Sequence, residues 1–253
     1  MKTVIYALVF CVCNPLFALS SHALTLNSGE REVQLIELYT SEGCSSCPAA
    51  DRWMSAQRNS DELWKSFVPV AFHVDYWDYL GWKDKFAEKA FSDRQRLHQR
   101  QGNVSNVYTP SFVIQGKEWR GWFQGEKRPP QRNRIAGNLR LGLEKQIASI
   151  NYNPKTQIDT VIVNVVVLGF GLKHSILRGE NAGSELHHDF IVLQHQKKAS
   201  RVRDNLLSAE FVLPELDNFD YTKLAVAAWI TSGEQIKPLQ AVGGWYEIAS
   251  LKP

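Results

Sequence analysis

The feature that most constrains this chain is the pair Cys44 and Cys47, lodged between an apolar strand pattern and a helical one. Residues 33–39 (VQLIELY) carry β-branched and aromatic side chains in alternation and read as a buried strand. Thr40-Ser41-Glu42-Gly43 reads as a turn, and a helical pattern runs on from Cys44. Pro48 falls in its first turn, where a missing N–H does no harm. Residues 68–74 (VPVAFHV) read as a second strand. Strand, helix and strand within about forty residues suggest a parallel βαβ unit.

A CxxC pair at a strand-to-helix junction has a physical rationale as a redox centre. The helix N-terminus presents unpaired N–H groups and partial positive charge, and both stabilise a thiolate. Cys44, nearest the helix start, is then the nucleophile, and Cys47, one turn in, resolves the mixed disulfide. Two other readings stand beside this one. The pair could be a plain stabilising disulfide, although so short a loop gains only about 2 kcal/mol, against about 4.7 for a loop of a hundred residues. It could also supply half of a tetrahedral metal shell with His73, although no second CxxC accompanies it.

Glu37 shares a strand face with Val33, Leu35 and Tyr39. On a central strand it would lie beneath the cysteines with a pKa raised by desolvation, ready to take the proton from Cys47. On an edge strand it would face solvent. Thr109-Pro110 opens the strand pattern of residues 107–114, and residues 118–123 read as its partner. Residues 75–101 begin rich in aromatics and turn helical from Trp82. Residues 134–150 place Ile135, Leu139, Leu143, Ile147 and Ile150 at helical spacing. Beyond them, residues 158–168, 186–194, 201–212, 224–231 and 237–248 read as strands separated by short turns, the pattern of a small antiparallel sandwich. His187-His188-Asp189 invites a metal site, but strand neighbours point to opposite faces.

The first 23 residues read as a signal peptide. Lys2 supplies positive charge, residues 4–19 an apolar stretch interrupted at Asn14 and Pro15, and Ser21-His22-Ala23 a cleavage pattern. Cleavage removes Cys11 and Cys13 and leaves Cys44 and Cys47 alone in a compartment where disulfides persist. No later apolar run approaches the roughly 20 residues of a spanning helix, so no membrane anchor is expected after cleavage. A net charge of +3 makes no electrostatic case for nucleic acid.

Strand, CxxC, helix, strand, then a Thr-Pro opening a hairpin, together resemble the thioredoxin superfamily. That resemblance implies a cis Pro110 facing the disulfide and a Thr109 that contacts substrate backbone. Longer strings resemble the DUF1223 family of exported bacterial proteins of unknown function. They are Glu37 to Pro48 with Asp51, then His73 to Asp84, Tyr108-Thr109-Pro110, and Arg178-Gly179-Glu180-Asn181-Ala182-Gly183. Ser111 stands where that family's pattern expects Gln, and Leu97-His98 where it expects two tyrosines.

The resemblance implies an α/β thioredoxin-like domain (residues 24–152) with a helical insertion, followed by a small all-β, sandwich-like domain (residues 153–253). The family adds fold more than function, and the CxxC pair carries the functional expectation: a periplasmic or secreted thiol–disulfide oxidoreductase acting on protein or small-molecule disulfides. Cys44, Cys47 and Glu37 would be catalytic. Thr109, Pro110, Tyr76 and Trp77 would bind substrate, with residues 75–82 forming either a recognition wall or the packing of an inserted helix. Partners would be thiol- or disulfide-containing clients and a redox donor or acceptor, with no cofactor and no resident metal. A thiophilic metal carrier and a non-catalytic interaction module with a structural disulfide are the alternatives.

Overall fold

A computed structural model describes residues 23–216 and 219–246; the leader expected over residues 1–23 lies outside them except for Ala23. The first half of the chain forms β1 (Leu24–Asn27), β2 (Gln34–Thr40), α1 (Cys47–Ala56), β3 (Phe67–His73), α2 (Lys89–Arg100), β4 (Ser111–Ile114) and β5 (Lys117–Trp119). The second forms β6 (Gly137–Glu144), β7 (Ile147–Pro154), β8 (Thr160–Ser175), β9 (Glu185–Arg201), β10 (Leu207–Val212), β11 (Lys223–Ser232) and β12 (Pro238–Tyr246).

Two sheets account for these strands. One has four strands in the order β1-β6-β7-β10, and the other has eight in the order β12-β11-β8-β9-β3-β2-β4-β5. Within the larger sheet only β3 runs parallel to its neighbours, with its Pro69 opposite Ile36 of β2 and its Ala71 opposite Ile191 of β9. Strands from both sides of residues 152 and 153 therefore share one ladder. This corrects the expected architecture: the chain is not an α/β thioredoxin-like domain with a helical insertion followed by a separate sandwich. Among the described residues it is a twelve-stranded, mostly antiparallel protein in which α1 and α2 accompany one long sheet. The physical reason is the outer edge of β3. In a doubly covered α/β layer that edge would meet another crossover strand, whereas here the long β8–β9 hairpin pairs with it.

The helix expected over residues 134–150 is the hairpin β6–β7, with Leu139 opposite Tyr152 and Leu141 opposite Ile150. A spacing of four residues suits both periods, because it is two strand repeats as well as about one helical turn. Leu141, absent from the helical face, points inward with Leu139 and Leu143, while Ile135 and Ile147 are half exposed. Gly137 opens the hairpin at φ +94°, and a Cβ there would come within 2.3 Å of the Asn153 carbonyl oxygen.

Alternation along β8 and β11 builds two cores at once. Val161, Val163, Val165 and Val167, with Leu224, Val226, Ala228 and Ile230, face the four-stranded sheet. Val166, Leu168 and Phe170, with Ala225, Ala227 and Trp229, join the core around β2 and β3. The larger sheet curls until β12 meets β2. Gln240 Oε1 there accepts the Val33 N–H at 2.8 Å, and Gln115 Nε2 donates to the Pro238 carbonyl at 3.0 Å.

Candidate functional site

Strand β2 ends at Thr40, and the chain turns sharply before α1. The Cys44 N–H bonds the Ser41 carbonyl at 3.2 Å, and the Cys47 N–H bonds the Cys44 carbonyl at 3.2 Å. Cys44 and Cys47 form a disulfide with Cα atoms 5.4 Å apart. The first helical residue is Cys47, so Cys44 stands three positions before α1, and Pro48 lies in the first turn. No acidic residue lies in that turn and no side chain caps it, which leaves N–H groups and partial positive charge directed at the disulfide. Cys44 is 2% exposed and Cys47 is fully buried.

Two of the sequence-predicted binding residues meet beside this loop. Trp77 Nε1 donates to Thr109 Oγ1 at 2.7 Å. A Cβ at Gly43 would lie 2.9 Å from the Trp77 Cβ, so the glycine allows Trp77 to settle on the CxxC loop. The Thr109–Pro110 peptide is cis. Ser111 pairs with Tyr39, which places Pro110 level with the last residue of β2. Tyr76 is anchored further off, its hydroxyl donating to Gln95 Oε1 at 3.0 Å while Gln95 Nε2 donates to the Tyr108 carbonyl at 2.7 Å. Burial pushes the Tyr76 phenol up to about 12.

Glu37 is on an interior strand, and its surroundings invert the expected titration. Its Oε2 accepts from Arg94 Nε at 2.7 Å and from the Tyr39 hydroxyl at 2.8 Å, with His98 Nε2 at 3.2 Å. Burial favours the neutral acid, but the charges of Arg94 and His98 outweigh it and hold the pKa well below the carboxylate range. Thr40, three residues on, bonds Asp51 of α1 at 2.9 Å. Odd and even residues of a strand face opposite ways, so Glu37 and its α2 partners lie across the sheet from the disulfide helix. His98 is thus part of this ion cluster.

Beneath the cysteine loop is a second buried cluster that sequence reasoning missed. Glu42, two residues before Cys44, accepts the Trp82 indole N–H at 2.8 Å, and His174 Nδ1 lies 2.8 and 2.9 Å from its two oxygens. His188 bridges from below, with Nε2 at 3.3 Å from Glu42 Oε1 and Nδ1 at 3.6 Å from Asp51 Oδ2. Burial disfavours charge on that imidazole, yet the carboxylates of Asp51 and Glu42 prevail and push its pKa up to about 10. Asp84 accepts the Glu42 N–H at 2.9 Å and pairs with His73 Nδ1 at 2.6 Å. Burial opposes ionisation of Glu42 and Asp84 as well. The close approach of the His188 imidazole for Glu42, and the charge of His73 for Asp84, help hold both pKa values below the usual range.

The signal for His188 was the alternation that argued against a metal at His187-His188-Asp189. His187 faces solvent beside Glu185, and His188 faces inward. The inward residue taken singly is the informative one. Among the described residues no group of three or more His, Cys, Asp and Glu side chains is arranged to hold a metal ion. No helix there is long and apolar enough to cross a membrane.

A third element closes on the loop from above. The connection between β8 and β9 carries Glu180, whose Oε2 accepts the Ser45 N–H at 2.9 Å. Beside it Asn181 donates from Nδ2 to the carbonyls of Glu42 and Cys44 at 2.7 and 3.0 Å. Glu180 and Asn181, within the turn and family string of residues 178–183, thus hold the backbone of the cysteine loop.

Residues 35–231 match the family described as "Protein of unknown function (DUF1223)", and the chain belongs to it. No curated protein matches the chain. Two solved structures share its fold. The crystal structure of protein AGR_C_4864 from Agrobacterium tumefaciens is 20% identical with a TM-score of 0.56, over 84% of this chain and 94% of that one. HBP35 of Porphyromonas gingivalis is 14% identical with a TM-score of 0.59, over 86% of this chain and 76% of that one.

Proposed function

We propose that this member of the DUF1223 family is an exported thiol–disulfide oxidoreductase, working in the periplasm or outside the cell. The observation that carries the reading is the Cys44–Cys47 disulfide placed directly before the uncapped N-terminus of α1. A helix start favours the thiolate over the thiol and so makes the pair exchangeable. Cleavage of the expected leader would leave this the sole cysteine pair of the mature chain.

In the reducing direction, the Cys44 thiolate attacks one sulfur of a client disulfide and releases the other as a thiolate. A Cys44–client mixed disulfide is formed. The Cys47 thiolate then attacks the Cys44 sulfur, closes the intramolecular bond and releases the second client thiolate. The client has gained two electrons and the protein has lost them. The oxidising direction is the reverse, beginning with a client thiolate on Cys44. Thr109, the carbonyl-bearing residue before cis-Pro110, and the indole of Trp77 flank the loop on the side where a client segment would lie. Glu37 is not offered as the proton carrier, since its ion pairs keep it a carboxylate on the other face of the sheet.

A second reading has an observation of its own. Both cysteines are almost entirely buried, as in a structural bond that serves an interaction module. Equilibrating the mature protein in glutathione buffers and counting free thiols by alkylation and intact mass separates the two. A reversible two-electron transition above about −230 mV marks an oxidising or shuffling pair, and one near about −270 mV marks a reductase fed by a donor. A bond that stays closed below about −300 mV is structural and overturns the proposal.

A further inference from the structure

We propose that Glu180 is a positioning residue that sets the balance between dithiol and disulfide at Cys44–Cys47. This rests on the redox reading of the pair. The geometry is specific. Glu180 reaches the CxxC from the far end of the β8–β9 hairpin, 135 residues along the chain, and takes the N–H of the residue that follows Cys44. Its neighbours fix the approach. Asn181 is buried and holds the Glu42 and Cys44 carbonyls. Gly179 adopts φ +78°, where a Cβ would stand 3.3 Å from the Trp82 Cβ.

The chemistry follows from which redox state carries charge. Reduction delivers two electrons and two protons to the disulfide; with glutathione as reductant, two molecules are joined as glutathione disulfide and one cystine bond opens. The disulfide is neutral, whereas the reduced pair gains from ionising Cys44. That thiolate would draw on the loop and first-turn N–H groups. Glu180 already occupies the Ser45 N–H and places a negative charge on the residue that follows Cys44, and both effects disfavour the thiolate. The carboxylate therefore keeps the pair oxidised more strongly than the helix start alone would. It acts through Ser45 and does not touch the reacting atoms in this arrangement.

The test compares the mature wild-type chain with Glu180→Gln, and with Glu185→Gln as a control at an exposed carboxylate of the same hairpin. Each is equilibrated in glutathione buffers, and the Cys44 pKa is read from the pH dependence of alkylation. The expected result is a shift toward the dithiol of about twofold to fivefold in Glu180→Gln, the scale of one charge at a helix terminus. A lower Cys44 pKa should accompany it, and the shift should shrink in 1 M salt, as screening requires, with a Debye length of about 3 Å there. If Glu180→Gln titrates like the wild type while the wild type remains reversible, the inference falls and the oxidoreductase reading stands. If the wild-type bond cannot be reduced at all, both fall together.

Discussion

The indole N–H of Trp77 donates to Thr109 Oγ1 across 2.7 Å, joining segments that the chain separates by 32 residues. One partner rests its Cβ on the cysteine loop at Gly43, and the other precedes the cis proline. The bond thus ties the aromatic stretch to the start of β4 beside the loop that carries an almost fully covered disulfide. Trp77→Phe keeps an aromatic ring on the same Cβ and removes the donor. A neutral hydrogen bond contributes about 0.5–1.5 kcal/mol net, so a cover that opens by local fluctuation becomes about twofold to tenfold more populated in its open form. Reduction of the disulfide by dithiothreitol should accelerate by that factor at low reductant concentration. An unchanged rate would mean that Trp77 does not gate the sulfurs.

Much of the strand content was legible, because residues 33–39 and 68–74 carry the alternation and apolar runs of buried strands and form β2 and β3 within a residue of expectation. Sheet partnership was not. The pairing of Ala71 with Ile191 spans 120 residues, and neither segment's local pattern names the other. Residues 134–150 form strands rather than the expected helix because a four-residue apolar spacing satisfies both periods, and only the inward Leu141 between Leu139 and Leu143 breaks the tie. At the site, the cysteines announce themselves by type and spacing. Glu42, His188 and Glu180 do not, since each acquires its role from a contact that only the fold creates. Glu37 was legible as a misplaced carboxylate, but its titration depended on Arg94 and His98, which lie on a different element.

His188 offers a test of the cluster beneath the loop. Its folded pKa of about 10 exceeds the unfolded histidine value of about 6.5. The folded state thus binds the proton more tightly than the unfolded chain does. The stabilisation is fully present below pH about 6.5 and is lost as pH rises through about 10. His188→Gln leaves Glu42 and Asp51 without their shared cation, and breaking a buried pair costs about 3–5 kcal/mol. Urea unfolding of both proteins should therefore show the largest gap near neutral pH, narrowing steadily toward pH 10. A gap that stays constant over that range would show that the imidazole is neutral in the folded protein.

Glu37 makes the opposite prediction for acid and a negative one for chemistry. Its pKa is depressed by Arg94 and His98 against the pull of burial, so the unfolded chain takes up its proton first as pH falls. The stabilisation is present above the unfolded value of about 4.3 and declines as pH drops toward the folded one. Glu37→Gln abolishes the charge in both states and leaves Arg94, whose side chain is 9% exposed, without its ion partner. Loss of one member of such a pair costs about 3–5 kcal/mol, read as a lower urea midpoint at pH 7 and a flatter acid limb between pH 5 and 3. The same substitution should leave the pH dependence of thiol exchange unchanged, because the carboxylate faces α2 while Cys47 begins the helix on the other face. A shift of the exchange profile in Glu37→Gln, in protein that remains folded, would return Glu37 to the proton path. It would also require that the two faces of β2 communicate through Thr40 and Asp51, a route that Thr40→Val would then interrupt.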